Sequence, residues 1–266
     1  MPHDARAPPL PARLRPLPKC SPLFSPTIIF ADVIAYANGG QAVATAIAHI
    51  MRNALRRWLA ILRRRHFYQL RTRFLLIGHE GHFWGLRAAA QAHGAEGIKA
   101  AIRAGFDTIE HASFVDEEGI RLAKEHGTAL SMDIYNTEYT LSQGQADGVL
   151  EENLAKERMV SAAQREGFRN ANAAGVKMVF GSDAGVMPHE DVGGQFAVMV
   201  RFGMTPLQAI QAATRNAADA LGQSGEVGVI APGAWGDLIA VEGDPLSDVG
   251  ELVHVDAVIK AGLRIK

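Results

Sequence analysis

From residue 87 onward, short apolar runs alternate with segments whose apolar residues recur at helical spacing. LRAAAQAH predicts a strand, and AEGIKAAIRAG a short helix with Ile98, Ala101 and Ile102 on one face. FDTIEH predicts the next strand. VDEEGIRLAKEHG predicts a helix with Asp116 at its cap, Glu117 and Glu118 in the electropositive first turn, and Gly127 as its stop. TALSMDIY reads as a third strand, residues 150–174 as a long helix, and VKMVFGSD as a fourth strand. Thr205 followed by Pro206 opens a last helix running to about Leu221, a cap residue before a proline in the first turn. Strands that are apolar throughout belong to buried parallel sheets, and four βα units in sequence make half of a barrel. The tail has a different pattern, in which GDLIAVEGDPL and VDAVIKAGLRIK predict short strands with tight turns, a small β-appendage.

The first third of the chain obeys another rule. Eight of the twelve prolines fall within residues 1–26, so that stretch is expected to lack regular structure. Residues 27–38 could form one strand, and 41–76 carry an arginine-rich helical pattern. Residues 1–86 hold twelve basic groups against three acidic ones, whereas the remaining 180 residues hold fifteen against twenty-five. The near-zero net charge therefore hides two opposite halves. Three readings of this basic leader stand open: a transit peptide, a nucleic-acid-binding arm, or a segment foreign to residues 87–266 through a frame error or gene truncation. The expected organisation is a leader over 1–86, half of a (β/α) barrel over 87–225 and the β-appendage over 226–266.

Composition narrows the class further. The single cysteine, Cys20, excludes an internal disulfide framework and suits a reducing compartment, so a cytoplasmic location is expected. The longest apolar stretch, 41–62, is interrupted by His49 and three arginines, which argues against a membrane span. Arg56, Arg57, Arg63, Arg64 and Arg65 read as a solvated face, and no nucleic-acid partner is expected.

Candidate chemistry sits at the predicted strand ends. His93 closes AAAQAH, His111 closes FDTIEH, and Asp183 comes directly after VKMVFGS. In a barrel of alternating strands and helices, the C-terminal strand ends all face one mouth, where active sites are built. Two imidazoles and a carboxylate meeting there make a divalent-metal site. Tyr135 and His189, after the third and fourth strands, are candidate substrate contacts.

The phrases HGAEGIKAAIRAGFDTIEHAS, SMDIYNTEY, FGSDAG, FGMTPLQAIQAATRNAADALG and GVIAPGAWGDLIAVEGDPL, in this order from about Leu86 to Lys266, resemble the metal-dependent amidohydrolase superfamily. The similar branch is that of imidazolonepropionase-like and Xaa-Pro dipeptidase-like enzymes. The resemblance implies an α/β fold: a partial TIM-like (β/α) barrel, equivalent to strands 5–8, with a small C-terminal β-sandwich remnant. It implies His93 as the strand 5 metal ligand, His111 as the strand 6 ligand and Asp183 as the strand 8 ligand and proton shuttle. Gln91 stands where relatives often show another histidine, so the strand 5 ligand position lies with either Gln91 or His93. No His-x-His pair occurs, and Ala35 stands about where the strand 4 lysine would be. The visible residues then supply one metal site at most, zinc being the family's usual ion.

The expected function is metal-dependent hydrolysis of C–N amide bonds in dipeptide-like, N-acyl-amino-acid or cyclic amide substrates, with a homo-oligomer as a possible assembly. The alternative is a non-catalytic remnant or interaction module of the same descent.

Overall fold

The computed structural model describes residues 77–266, apart from 145 and 147, and the backbone of a strand at 33–36. The expectations for residues 1–26 and 41–76 lie outside the described residues.

The apolar runs form strands where the pattern placed them. β1 (Val33–Tyr36), β2 (Arg87–Ala92), β3 (Thr108–His111), β4 (Ala129–Met132) and β5 (Met178–Phe180) make one sheet in that order. The four strands β2 to β5 pair in parallel and in sequence order. β1 runs antiparallel to β2 along the sheet's edge. Each parallel crossover carries helix: α1 (Ala95–Arg103) after β2, α2 (Glu117–His126) after β3, then α3 (Ile134–Gln143) and α4 (Glu151–Ala173) after β4. Beyond β5 come α5 (Gly194–Arg201), α6 (Pro206–Ala213) and α7 (Arg215–Ala220).

The helix stops come from their residues. Asp116 accepts a hydrogen bond from the Gly119 amide at 2.7 Å, and Gly127 takes the left-handed conformation that ends α2. Thr205 and Gln208 exchange hydrogen bonds as a reciprocal capping box at the head of α6.

Two expectations shift. The TALSMDIY strand ends at Met132, and the chain turns helical at Ile134. The helix expected from Thr205 to Leu221 is broken at Thr214, whose hydroxyl donates to the Ile210 carbonyl and whose backbone leaves the helical region.

The core lies between the sheet and its helices. Ile109, Leu130 and Met132 from the strands meet Ile98, Ile102 and Phe168 from the helices, all essentially free of solvent contact. Removing this apolar surface from water is the main force holding the parallel strands in order. The opposite face of the sheet is more polar, with Gln91, Thr108 and Glu110 half-buried. A cavity of 680 Å³ opens toward the lower part of this face, lined by Arg87, Asp107, Thr108, Glu110, Ser131 and Leu221 among others.

β6 (Leu238–Ala240), β7 (Ala257–Lys260) and β8 (Leu263–Arg264) form a separate antiparallel sheet of three strands, the appendage expected in the tail. Among the described residues no helix is long and apolar enough to cross a membrane.

Candidate metal centre

Because β2 to β5 are parallel, their C-terminal ends lie along one edge of the sheet. His111 is the last residue of β3, Asp133 comes directly after β4, and Asp183 lies three residues beyond β5. These three offer ligand atoms that all lie within 4.8 Å of one another, the group of this kind among the described residues.

Local backbone brings them there. His111 and Asp183 have φ of 65° and 50°, and Ala112 has 47°. Left-handed backbone is costly for residues with a Cβ and persists where the surroundings impose it, commonly at functional sites. At His111 it ends the alternation of β3, in which Ile109 faces the helices and Glu110 the opposite side.

The environment of Asp133 is built from amides. Gln164 of α4 donates to its Oδ1 at 3.0 Å, and Asn136 donates to its Oδ2 at 3.3 Å. The same Asn136 amide donates to Asp183 Oδ2 at 2.9 Å, so one side chain ties both carboxylates. Thr137 donates to Gln164 Oε1, and Thr140 to Asn136 Oδ1. Gln195 of α5, fully buried, accepts from the Tyr135 amide and donates to the Met132 carbonyl, both at 2.8 Å. It thereby clamps the backbone on either side of Asp133.

His111 Nδ1 lies 3.0 Å from Asp133 Oδ1. Burial opposes charge on both groups, yet the pair overrides it. The hydrogen bond to Asp133, with the negative charges of Asp133, Asp183 and Glu110, raises His111 above the ordinary histidine value. The hydrogen bond and charge of His111, with help from Asn136, hold Asp133 below the usual carboxylate range. Asp133 is thus an ionised acceptor that fixes the proton on Nδ1 and leaves Nε2 for an ion. A carboxylate behind a histidine is the usual support for a metal-bound imidazole.

The donor set fits a divalent cation. An imidazole nitrogen and carboxylate oxygens suit zinc, manganese or iron, and zinc–ligand bonds of about 2.0–2.2 Å need only modest contraction of the group. His111 and Asp183 would hold the ion, with Asp133 behind His111.

The other candidates take different places. The His93 ring stacks on that of His111, centroids 4.5 Å apart and planes 18° apart, and its Nδ1 lies 2.9 Å from Ser113 Oγ. His93 stands beside the group rather than in it. Gln91 is half-buried on β2, its Cα paired with that of Glu110 across the sheet. Tyr135 packs over Gly194, where an added Cβ would sit 2.6 Å from the ring, and His189 is exposed in a short 3₁₀ turn. Asp133, inside the run TALSMDIY, was not among the candidate ligands of the sequence. The sequence pattern missed Asn136, Gln164 and Gln195, whose one signal was their polarity at core positions of helices.

The sequence profile described as the Amidohydrolase family matches residues 77–265. Among curated proteins, ochratoxinase of Aspergillus niger is 37% identical over 162 residues, covering 60% of this chain and 33% of its own. Among solved structures, a Xaa-Pro dipeptidase with methionine bound in its active site superposes with a TM-score of 0.70 at 38% identity, over 74% of this chain and 48% of that one. A prolidase complexed with N-methylphosphonate-L-proline gives 0.69 at 31% identity, over 74% and 49%. The chain therefore spans a third to a half of the length of these relatives. With the profile running across the sheet, its helices and the appendage, and with the His–Asp–Asp group at the strand ends inside it, the chain belongs to the amidohydrolase family.

Proposed function

We propose that this chain carries the catalytic edge of a metal-dependent hydrolase of C–N amide bonds. The observation that carries the reading is the convergence of His111, Asp133 and Asp183 at adjacent parallel strand ends, two of the three on left-handed backbone. The relatives' names, an ochratoxinase and a dipeptidase, support substrates of the dipeptide-like, N-acyl-amino-acid or cyclic amide class. β2 to β5 stand as strands 5–8 of a TIM-like barrel, and the three-stranded sheet as the remnant of a β-sandwich. The domain division is 1–86, 87–225 and 226–266.

One divalent ion, zinc by family habit, would be held by His111 Nε2 and Asp183. When bound, such an ion polarises a carbonyl and acidifies water from near 16 to about 7. Asp183 is exposed toward solvent, and Asn136 engages one of its oxygens. Its other oxygen is the base that takes a proton from the attacking water and passes it to the leaving nitrogen. Asp133 keeps its charge and holds His111 in one tautomer. His93, stacked on His111, forms the adjoining wall, or joins the ion by a side-chain rotation. Tyr135 and His189 stand after the strands as substrate contacts. The partner is a small amide in the cytoplasm, with no role for nucleic acid or membrane, and a homo-oligomer is the assembly in which this edge works.

A second reading is favoured by one observation. His93 is hydrogen-bonded to Ser113 outside the three-residue group, which leaves a single nitrogen ligand. The chain is then a non-catalytic remnant that keeps the fold.

Metal analysis after purification with zinc, paired with hydrolysis of N-acyl-amino acids and dipeptides, separates the two. About one ion per chain, with turnover abolished in Asp183→Asn, is the expected result. Far less than one ion, with no recovery on adding zinc, sinks the enzyme reading.

A further inference from the structure

The three helices that carry Asn136, Gln164 and Gln195 meet again around Phe202, the residue that closes α5. The guanidinium carbons of Arg165, Arg169 and Arg201 lie 5.3, 5.5 and 5.4 Å from the centre of its ring. All three are within reach of cation–π attraction, so one half-buried ring gathers three positive charges. Glu138 of α3 is the acid among them. Its Oε2 accepts from Arg201 and, at 3.3 Å, from Arg165. Arg169 is exposed, its stem lies against Gly203, and it pairs with no carboxylate among the described residues.

Two features leave this arrangement unbalanced. Three positive charges less the one negative charge of Glu138 leave two, crowded around a single ring. Arg165 Nε is buried without a hydrogen-bond partner, alone in this among the buried side-chain atoms of the described residues. A buried donor left unpaired is costly and calls for an explanation. Nε–H and Nη2 share one edge of the planar guanidinium, the edge that can grip a carboxylate with two parallel hydrogen bonds. Glu138 reaches only Nη2, because the same oxygen is also drawn to Arg201.

We propose that Arg169 and Arg201 bind a phosphoryl oxyanion beside Phe202, at a site separate from the metal centre and independent of the hydrolase reading. The anion takes over Arg201. Glu138 then closes on Arg165 with both oxygens and gives the buried Nε–H its acceptor. A phosphoryl group, carrying about −1.5 to −2 near neutral pH, balances the two surplus charges, whereas a carboxylate leaves one of them unmet. The planar donor fork of arginine suits such a ligand better than a point charge would.

Calorimetric titration of the full chain with inorganic phosphate, and separately with methyl phosphate, tests the site at constant ionic strength. Saturable binding is expected, and the tighter probe tells whether free or esterified phosphate is the ligand. No saturable binding of either overturns the proposal. Arg169→Gln and Arg201→Gln should each weaken binding roughly tenfold, as loss of one charge-assisted contact does. Arg121→Gln, which removes an exposed arginine paired with Glu125 on α2, should leave affinity unchanged. Equal losses in all three variants would show a diffuse effect of charge and sink the site. Wild-type affinity in Arg169→Gln and Arg201→Gln would place the anion elsewhere, on a metal ion for example, and sink it too. The exchange of partners by Glu138 is read by ¹⁵N NMR of the arginine Nε–H groups. The Arg165 signal, identified by its absence in Arg165→Lys, should move downfield as phosphate saturates the protein. A signal that stays in place shows that Glu138 does not close on Arg165, and the proposed exchange is wrong.

Discussion

His111 Nδ1 and Asp133 Oδ1 stand 3.0 Å apart across the β3–β4 strand ends, and each sets the protonation of the other. The pair acts as a unit. Asp133→Asn should leave the main chain in place, because Asn can still accept from Nδ1–H and from Gln164. It removes the charge that makes the imidazole a strong donor to metal. A loss of 10–100-fold in zinc affinity is expected, read by chelator competition.

The same pair gives the metal-free protein a pH signature. His111 has a folded pKa above its ordinary 6.5. Its contribution to stability is fully present below that value and is lost as pH rises through the raised one. Asp133 has a folded pKa below 3.8. Its contribution is present above 3.8 and is lost as pH falls through the lowered value. Urea midpoints of the metal-free chain should therefore decline on the alkaline side of about pH 6.5. In His111→Gln that slope should flatten; an unchanged slope would show that other groups produce it.

Gly181 allows β5 to approach β4 just before Asp183. A Cβ there would lie 2.7 Å from Ser131 Oγ and 3.2 Å from the Ser131 carbonyl carbon. Gly181→Ala forces the strands apart at that point. Denaturant unfolding should show a cost of about 1–3 kcal/mol, the range for overpacking. Zinc affinity should fall with it, since Asp183 is only two residues on.

Phe168 is fully buried against the sheet from the same helix that carries Gln164. Phe168→Ala should cost about 3–5 kcal/mol in stability. At temperatures where the variant is folded, its zinc affinity should stay near that of the wild type. A selective loss of zinc binding without loss of stability would show that α4 serves the centre through more than its amides.

Much of this was legible in the chain because the relevant forces are local. Asp116, Gly127 and the Thr205–Pro206 pair mark helix ends by satisfying backbone groups nearby. His111 and Asp183 were legible because a parallel sheet sends every strand end to one edge. What escaped depends on distant partners. Tyr135 reads as the end of a strand, yet its amide is held by Gln195, 60 residues away. Thr214 interrupts a helical pattern where Gly228 packs against its carbonyl. Asn136 and Gln164 gave only their polarity at core positions as a signal, because an amide there looks the same whether it binds a carboxylate or fills space. The left-handed backbone at His111 and Asp183 is equally silent, since neither residue type announces it.

Gln195 has a consequence for how the protein opens. One buried side chain grips the last carbonyl of β4 and the Tyr135 amide in the first turn of α3, so the peptide segment that bears Asp133 is sealed from outside by α5. The Tyr135 amide proton can then exchange with deuterium only when α5 lifts away. Its protection reports the integrity of the whole strand-end edge. Fraying of α5, which joins the fold after every strand of the sheet, and collapse of the carboxylate cluster are one cooperative event rather than two.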